Sequence, residues 1–221
     1  FSTPLGTEGG TKVSGTYQFE ANALRLRDIP PLTQLTGQLT FTEESMEARD
    51  VAAKVFGGPA RISVASSEGR FEVSGSGTAQ LAIAKRELQL PLLHRVTGTA
   101  DWQLATNTRG EFAAWTLTSN LKGTAIDLPA PLGKSAADAV AFKVERREVA
   151  GRANEDMLHV DFGPEHRVIV HRRLGKEQAT VDRALVLLGS AVARGGTPDR
   201  DGIWVRGTMP ELDLDEWLAL Y

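Results

Sequence analysis

The chain has 221 residues, 41% hydrophobic and 24% charged, with a formal net charge of −3; it can bury a core, is not a disordered sequence, and carries no basic stripe that would mark a nucleic-acid partner. It contains no cysteine, which excludes disulfides, thiolate metal sites and a cysteine nucleophile. No apolar run approaches the ~18 residues that cross a bilayer, no signal peptide is present, and the first residue is Phe1 rather than Met, so the sequence reads as an excised segment whose anchor or targeting signal lies elsewhere.

Apolar residues recur at every second position in many short runs, the pattern of half-buried β-strands. Val13, Gly15, Tyr17 and Phe19 open the series. Leu24 and Leu26 follow, and Asp28-Ile29-Pro30-Pro31 stops the strand. Leu35, Gly37, Leu39 and Phe41 form another. Val51, Ala53 and Val55 run into Gly57-Gly58-Pro59, a turn signal, and Ile62 and Val64 return as the far arm of a hairpin. Phe71, Val73, Gly75, Gly77, Ala79, Leu81 and Ile83 make one long alternation. At about 3.3 Å per residue it spans roughly 40 Å, and its glycines suggest a bend or bulge.

Val96, Gly98, Ala100, Trp102 and Leu104 alternate next, Asn107-Thr108-Arg109-Gly110 turns, and Trp115, Leu117 and Ser119 return. A short run from Thr124 to Leu128 feeds a rigid Pro129-Ala130-Pro131 corner, which opens into Leu132-Gly133-Lys134. Beyond it come Val140, Phe142 and Val144, then Leu158, Val160 and Phe162; Gly163-Pro164 turns into Val168 and Val170. Val181, Leu185 and Leu187 follow, Arg194 to Gly202 is expected to be a mobile loop, and Ile203, Val205, Gly207 and Met209 form the last strand. The closing segment changes period. Leu214, Trp217, Leu218 and Tyr221 sit at helical spacing, with Asp213 as N-cap and Glu216 three positions on. Leu212 and Trp217 are placed for a hydrophobic staple, and a short helix is predicted from Leu214 to the end.

Two stretches match each other. Pro30, Leu32, Leu35, Thr36, Gly37, Leu39 and Phe41 align with Pro91, Leu93, Val96, Thr97, Gly98, Ala100 and Trp102, an offset of 61 residues (98 − 37). Upstream, Ser14 to Gln18 resembles Ser76 to Gln80 at an offset of 62 (76 − 14). The expectation is one elongated segment over 1–221 with units at about 12–75 and 76–135 and a divergent part at 136–221, stacked as a quasi-one-dimensional array. Chance recurrence of a small β vocabulary is the alternative.

No set of residues stands out as catalytic. Asp161-Phe162-Gly163 lacks every partner motif of a kinase, and Gly75-Ser76-Gly77 is too short for a dinucleotide loop. His159, Asp161 and His171 could share a metal, but scattered histidines are more often surface groups. Asp213, Asp215 and Glu216 are better explained as a helix cap than as a carboxylate pair. Lys134 could meet a phosphate or lipid headgroup; a solvated loop lysine is the plainer reading. Phe41, Phe71, Trp102, Trp115 and Phe142 are core residues by default, and become interesting only if the sheet is one layer thick with its apolar face open.

Several stretches resemble the YhdP branch of the AsmA-like family: Leu39-Thr40-Phe41, Val55 to Ala60, Ser119-Asn120-Leu121, Asp127-Leu128-Pro129-Ala130-Pro131-Leu132-Gly133-Lys134, and Leu212-Asp213-Leu214-Asp215-Glu216-Trp217. The two longest are the most specific. The resemblance implies an interior piece of a much longer protein, anchored in the Gram-negative inner membrane by a helix outside this segment and reaching across the periplasm. It implies a long β-sheet rolled into an apolar groove that moves phospholipid between inner and outer membrane and supports the outer-membrane barrier. No catalytic residue and no cofactor come with it.

Together these readings lead to a mainly β fold: a strongly curved, mostly antiparallel sheet forming a groove, with short helices at its rim and a C-terminal helix. The chain is expected to be non-enzymatic. Its expected partners are phospholipid acyl chains and neighbouring segments of the same chain, with membrane contact made through parts outside this segment and no nucleic acid. The expected groove lining is Phe41, Val55, Phe71, Val73, Trp102, Leu104, Trp115, Leu117, Phe142 and Val144. Alternation sorts these residues onto faces without saying which face is concave. A closed scaffold module and a glycan-binding β domain are the alternatives.

Overall fold

The computed structural model describes residues 13–25, 30–67, 70–89, 91–109, 112–175, 179–211 and 213–219. The strands are β1 (Ser14–Leu24), β2 (Leu32–Thr42), β3 (Ser45–Val55), β4 (Gly58–Ser67), β5 (Arg70–Gln80), β6 (Val96–Arg109), β7 (Phe112–Ser119), β8 (Thr124–Ile126), β9 (Phe142–Glu148), β10 (Glu155–Phe162), β11 (His166–Leu174), β12 (Ala179–Leu188) and β13 (Gly202–Gly207). They form one 13-stranded sheet that follows chain order from β1 to β13, except that β8 leaves the path to pair with β6. Among the described residues β12 and β13 pair in parallel and the other pairings are antiparallel. β1 and β13 do not pair with each other, so the sheet is not a barrel.

The curvature has a local cause. Register shifts interrupt β1 between Glu20 and Asn22, β2 between Thr33 and Leu39, and β3 between Ala48 and Val51. Ala21, Gln34 and Asp50 lie within these shifts at φ of 57°, 54° and 49°. A bulge bends its strand and increases the local twist. Three bulged strands side by side therefore bend the sheet along a line that crosses them, and the trough runs across the strands. The bend shelters one face: Leu35, Ala48, Val51 and Ala53 are buried, and among the described residues no second sheet packs on them.

Short helices gather at one rim. α1 (Leu81–Leu88) follows β5 directly, and a 3-10 turn (Pro91–Arg95) leads into β6. The long alternation expected from Phe71 to Ile83 therefore stops at Gln80. The spacing of Leu81, Ala84 and Leu88 also fits a helical stripe, and Leu81 to Leu88 is rich in strong helix formers. Asn107 to Arg109, expected in a turn, complete β6. The β3–β4 hairpin turns at Phe56 and Gly57, both at positive φ, so Gly58 and Pro59 already belong to β4. Of the matched stretches, Gly37 and Gly98 share positive φ at 146° and 97°. Upstream they differ, because β1 runs on to Leu24 while α1 follows Gln80.

The last strands depart from a simple two-faced sheet. Val168 to Val170 and Ala184 to Leu188 are continuous apolar runs, the pattern of strands covered on both sides. α2 (Ser190–Arg194) lies against the outer face here, and Ile169, Leu185 and Leu187 form a second core with Ala191. The stretch expected to be a loop is bounded by Arg194, which ends α2, and Gly202, which begins β13. Within it Pro198 is buried. α3 (Leu214–Leu218) is the predicted C-terminal helix, and Asp213 accepts from the backbone N–H groups of Asp215 and Glu216. Leu212, the expected staple partner of Trp217, and Tyr221 lie outside the described residues.

Close packing at the β3–β4 hairpin can be tested. A Cβ on Gly58 would lie 1.7 Å from the Thr78 carbonyl oxygen, and no side-chain movement relieves a clash with backbone. Gly58→Ala is expected to lower stability by about 1–3 kcal/mol, read as a lower urea midpoint at unchanged m-value.

Candidate functional site

The register shows what the pleat does across the whole sheet. Phe41 pairs with Met46, Met46 with Ser66, and Ser66 with Phe71; Val64 pairs with Val73. Val55 pairs with Gly58, and Ala60, two residues on, with Gly77. Gly77 then pairs with Trp102 and Gly75 with Leu104. Leu104 pairs with Leu117, Thr106 with Trp115, Leu117 with Val144, and Ser119 with Phe142. Because paired residues point to the same side, all ten lining candidates share one face. The same face continues through Val160 and Phe162, Val168 and Val170, and Ala184 and Val186. The opposite face of β4 to β7 carries Arg61, Ser63, Ser74, Ser76, Gln103 and Thr116.

Phe41, Val73, Trp102, Leu104, Trp115, Leu117, Phe142 and Val144 are partly exposed, Val55 is buried and Phe71 is exposed. Glycines keep the floor shallow. A Cβ on Gly15 would lie 2.5 Å from the tip of the Phe41 ring, and one on Gly75 would lie 3.3 Å from the Trp102 ring. The rings thus lie across bare backbone, the arrangement in which an aromatic covers a neighbouring glycine. The Trp102 indole N–H is buried without a hydrogen-bond partner among the described residues. At about 4.8 Å between strands, the apolar face from β1 to β13 extends roughly 50 Å along its contour.

Lys134 is placed differently from expectation. Its ammonium donates to the carbonyls of Leu121 (2.9 Å), Ser135 (2.8 Å) and Thr124. The three carbonyls converge because the chain doubles back after Gly123, and they take all three ammonium hydrogens, leaving none for a headgroup. Trp217 donates its indole N–H to the Ala130 carbonyl at 3.2 Å. The Pro corner and the C-terminal helix are thereby joined at the rim.

The histidines lie apart from the apolar strip. His171 is buried on the outer face, 3.0 Å from Glu155 through Nε2 and 2.7 Å from Asp182 through Nδ1. Bonds from Arg152 hold the Glu155 carboxyl below its ordinary range. Burial would raise the Asp182 carboxyl, but the bond from His171 outweighs it and the net shift is downward. Asp161 pairs with Arg167. Among the described residues, no three His, Asp or Glu side chains are grouped to hold a metal ion.

One polar feature of the apolar face was missed by the sequence reading. Asp156 is fully buried on it, between two arginines. Arg146 Nε donates to Asp156 Oδ2 at 2.5 Å; Arg172 donates to Oδ1 through Nε at 2.8 Å and to Oδ2 through Nη2 at 2.7 Å. The signal was present in the alternation itself. Arg146 follows Phe142 and Val144 by the same step of two, Asp156 precedes Leu158 and Val160, and Arg172 follows Val168 and Val170. Antiparallel pairing brings these three strand ends to one level.

Residues 2–221 match the YhdP protein family. The chain belongs to the YhdP family. The intermembrane phospholipid transporter YhdP of Escherichia coli strain K12 is 24% identical over 227 residues, which cover 99% of this chain and 17% of the relative. The chain therefore spans about a sixth of the length of that curated relative. No solved structure matches it. Among the described residues no helix is long and apolar enough to cross a membrane.

Two pH effects follow. Burial raises the Asp156 carboxyl, but the bonds from Arg172 and Arg146 outweigh it and hold it below its ordinary value. The unfolded chain therefore takes up this proton first as the pH falls. The stabilisation is complete above about pH 4 and is lost below it. Asp156→Ala is expected to cost about 3–5 kcal/mol at neutral pH, because two guanidiniums lose their buried partner. His159 runs the other way: burial first, then Arg147 and Arg167, push its imidazole below the ordinary value. Unfolding then favours proton uptake below about pH 6.5. Melting curves between pH 7 and 5 should fall less steeply for His159→Phe than for the parent chain.

Proposed function

We propose that this chain is one length of a non-enzymatic trough that conducts phospholipid between the inner and outer membranes, supporting the outer-membrane permeability barrier. In the full-length protein it lies in the periplasm, tethered to the inner membrane by a helix outside this segment. Its partners are acyl chains and the neighbouring segments of the same polypeptide, and it uses no cofactor. The observation that carries this reading is the shared face of Phe41, Val55, Phe71, Val73, Trp102, Leu104, Trp115, Leu117, Phe142 and Val144, on which no second sheet lies among the described residues. Family membership and the printed name of the E. coli relative support the same class of cargo.

The physics fits a conduit better than a pocket. Lipid tails gain about 0.8 kcal/mol for each methylene removed from water. An apolar strip that continues from strand to strand offers nearly the same gain at every position, so tails can slide with little change in free energy. Headgroups stay wet at the open side. A site of tight, local recognition would hold its ligand instead of passing it on.

Charges on the strip test this assignment. Trp102→Glu with Trp115→Glu is expected to reduce phospholipid that co-purifies with the chain more than about tenfold, measured by native mass spectrometry. Gln103→Glu with Ala105→Glu, on the outward face of the same region, is expected to leave it unchanged. Undiminished lipid in the first variant would remove the trough reading, and with it the predicted loss of barrier function in cells.

A further inference from the structure

The triad of Arg146, Asp156 and Arg172 sits where the apolar strip meets water. Arg146 lies two residues beyond Val144 in β9, Asp156 two residues before Leu158 in β10, and Arg172 two residues beyond Val170 in β11, where Leu174 follows it on the same face at the strand end. Arg146 is also paired in register with Trp115 of β7. Resting on the trough reading, we propose that this triad is a headgroup station, a fixed point at the lip that takes the phosphate of a phospholipid whose tails lie on the adjoining strip.

Three observations support the station. First, the charges do not cancel within the triad. Two guanidiniums share one carboxylate, and the group sums to one positive charge. Glu148 stands opposite Asp156 in the register but is exposed, so water screens it. A phosphodiester carries one negative charge, opposite in sign to the net charge of these three side chains. Second, the donors are held in place. Asp156 is 0% exposed, and the side chains of Arg146 and Arg172 are 19% and 24% exposed. Arg172 is gripped through Nε and Nη2, which fixes its plane, and its Nη1 has no hydrogen-bond partner among the described residues. A guanidinium fixed this way presents its remaining N–H groups to a phosphate with little ordering cost. Third, stability does not explain the triad. Buried Arg–carboxylate–Arg groups are commonly no more stabilising than apolar residues of the same volume. An apolar face whose only task was to pack would have no use for it.

The position also matches the polarity of the ligand. Apolar side chains border the triad on the strand interiors, and beyond it on the β9 side stands the exposed Glu148, in solvent. A phospholipid has the same sequence of tail, phosphate and water. The strip supplies affinity that is indifferent to position, and the triad supplies one point of register.

The test compares three probes, each below its micelle concentration, titrated into the purified chain: dihexanoylphosphatidylglycerol, dihexanoylglycerol and glycerol 3-phosphate. The phospholipid is expected to bind at least about tenfold more tightly than the diglyceride, the size of effect that a charge-assisted phosphate contact provides. Glycerol 3-phosphate is expected to bind too weakly to saturate. In the triple variant Arg146→Met, Asp156→Leu, Arg172→Met, the two lipids should bind within about twofold of each other, with diglyceride affinity unchanged. Arg172→Lys keeps the charge and loses the fork; it should lose about threefold or more of the preference, which keeps the test valid should the triple variant fail to fold. A preference that survives in these variants, or is missing from the parent chain, overturns the station. So does glycerol 3-phosphate binding as tightly as the phospholipid, since that marks a free-phosphate site. If the parent chain binds diglyceride without preference, the station falls and the trough stands. If it binds neither lipid, the trough falls too.

Discussion

A β-strand turns successive side chains to opposite sides, and this structure depends on one of those sides having no second sheet over it among the described residues. In a sandwich, the apolar faces of two sheets are pressed together and removed from water. Here the apolar side chains of β1 to β7 and β9 crowd only one another. Bulges near Ala21, Gln34 and Asp50 bend the strands toward that side. Curvature gives partial shelter to Leu35, Val51 and Ala53 while the face stays open along its length. The result is a partly sheltered apolar surface.

The motifs that carry the family resemblance perform structural work at the rim. Lys134 ties the loop around the Pro corner together through three carbonyls. Trp217 fastens the last helix to Ala130 of that corner. Both sets of bonds end on backbone carbonyls of the rim. The stretches most specific to the family therefore say how this rim of the sheet is built, and the apolar strip is made of ordinary alternating valines, leucines and aromatics that no short motif could flag.

Polar groups on the two faces have different meanings. On the outer face, pairs such as Thr78 with Asp101 and Asp161 with Arg167 lie beside solvent, where ion pairs and hydrogen bonds contribute little. The outer face is apolar and covered only near α2, where Ile169, Leu185 and Leu187 are sealed by Ala191. On the inner face, charge appears at the lip as Arg146, Asp156 and Arg172. That contrast gives the triad its interest, since a charge is costly next to hydrocarbon unless a partner is there to meet it.

Taken by itself, the amino-acid order determined the strand class, the identity of the apolar and polar sets within each strand, and the capped C-terminal helix, because these follow from periods of two and 3.6 and from side chains that bond their own backbone. It left Leu81 to Leu88 open between strand and helix, since a short apolar run satisfies both periods. It also left open whether the apolar sets of different strands join into one strip. Register decides that, and register comes from turn geometry and from bulges, where a shift of one residue sends a whole strand to the other face. The parallel return of β13, the cover supplied by α2 and the meeting of Arg146, Asp156 and Arg172 from three strands were likewise decided only in the folded sheet, because each depends on contacts between segments that the linear order keeps apart.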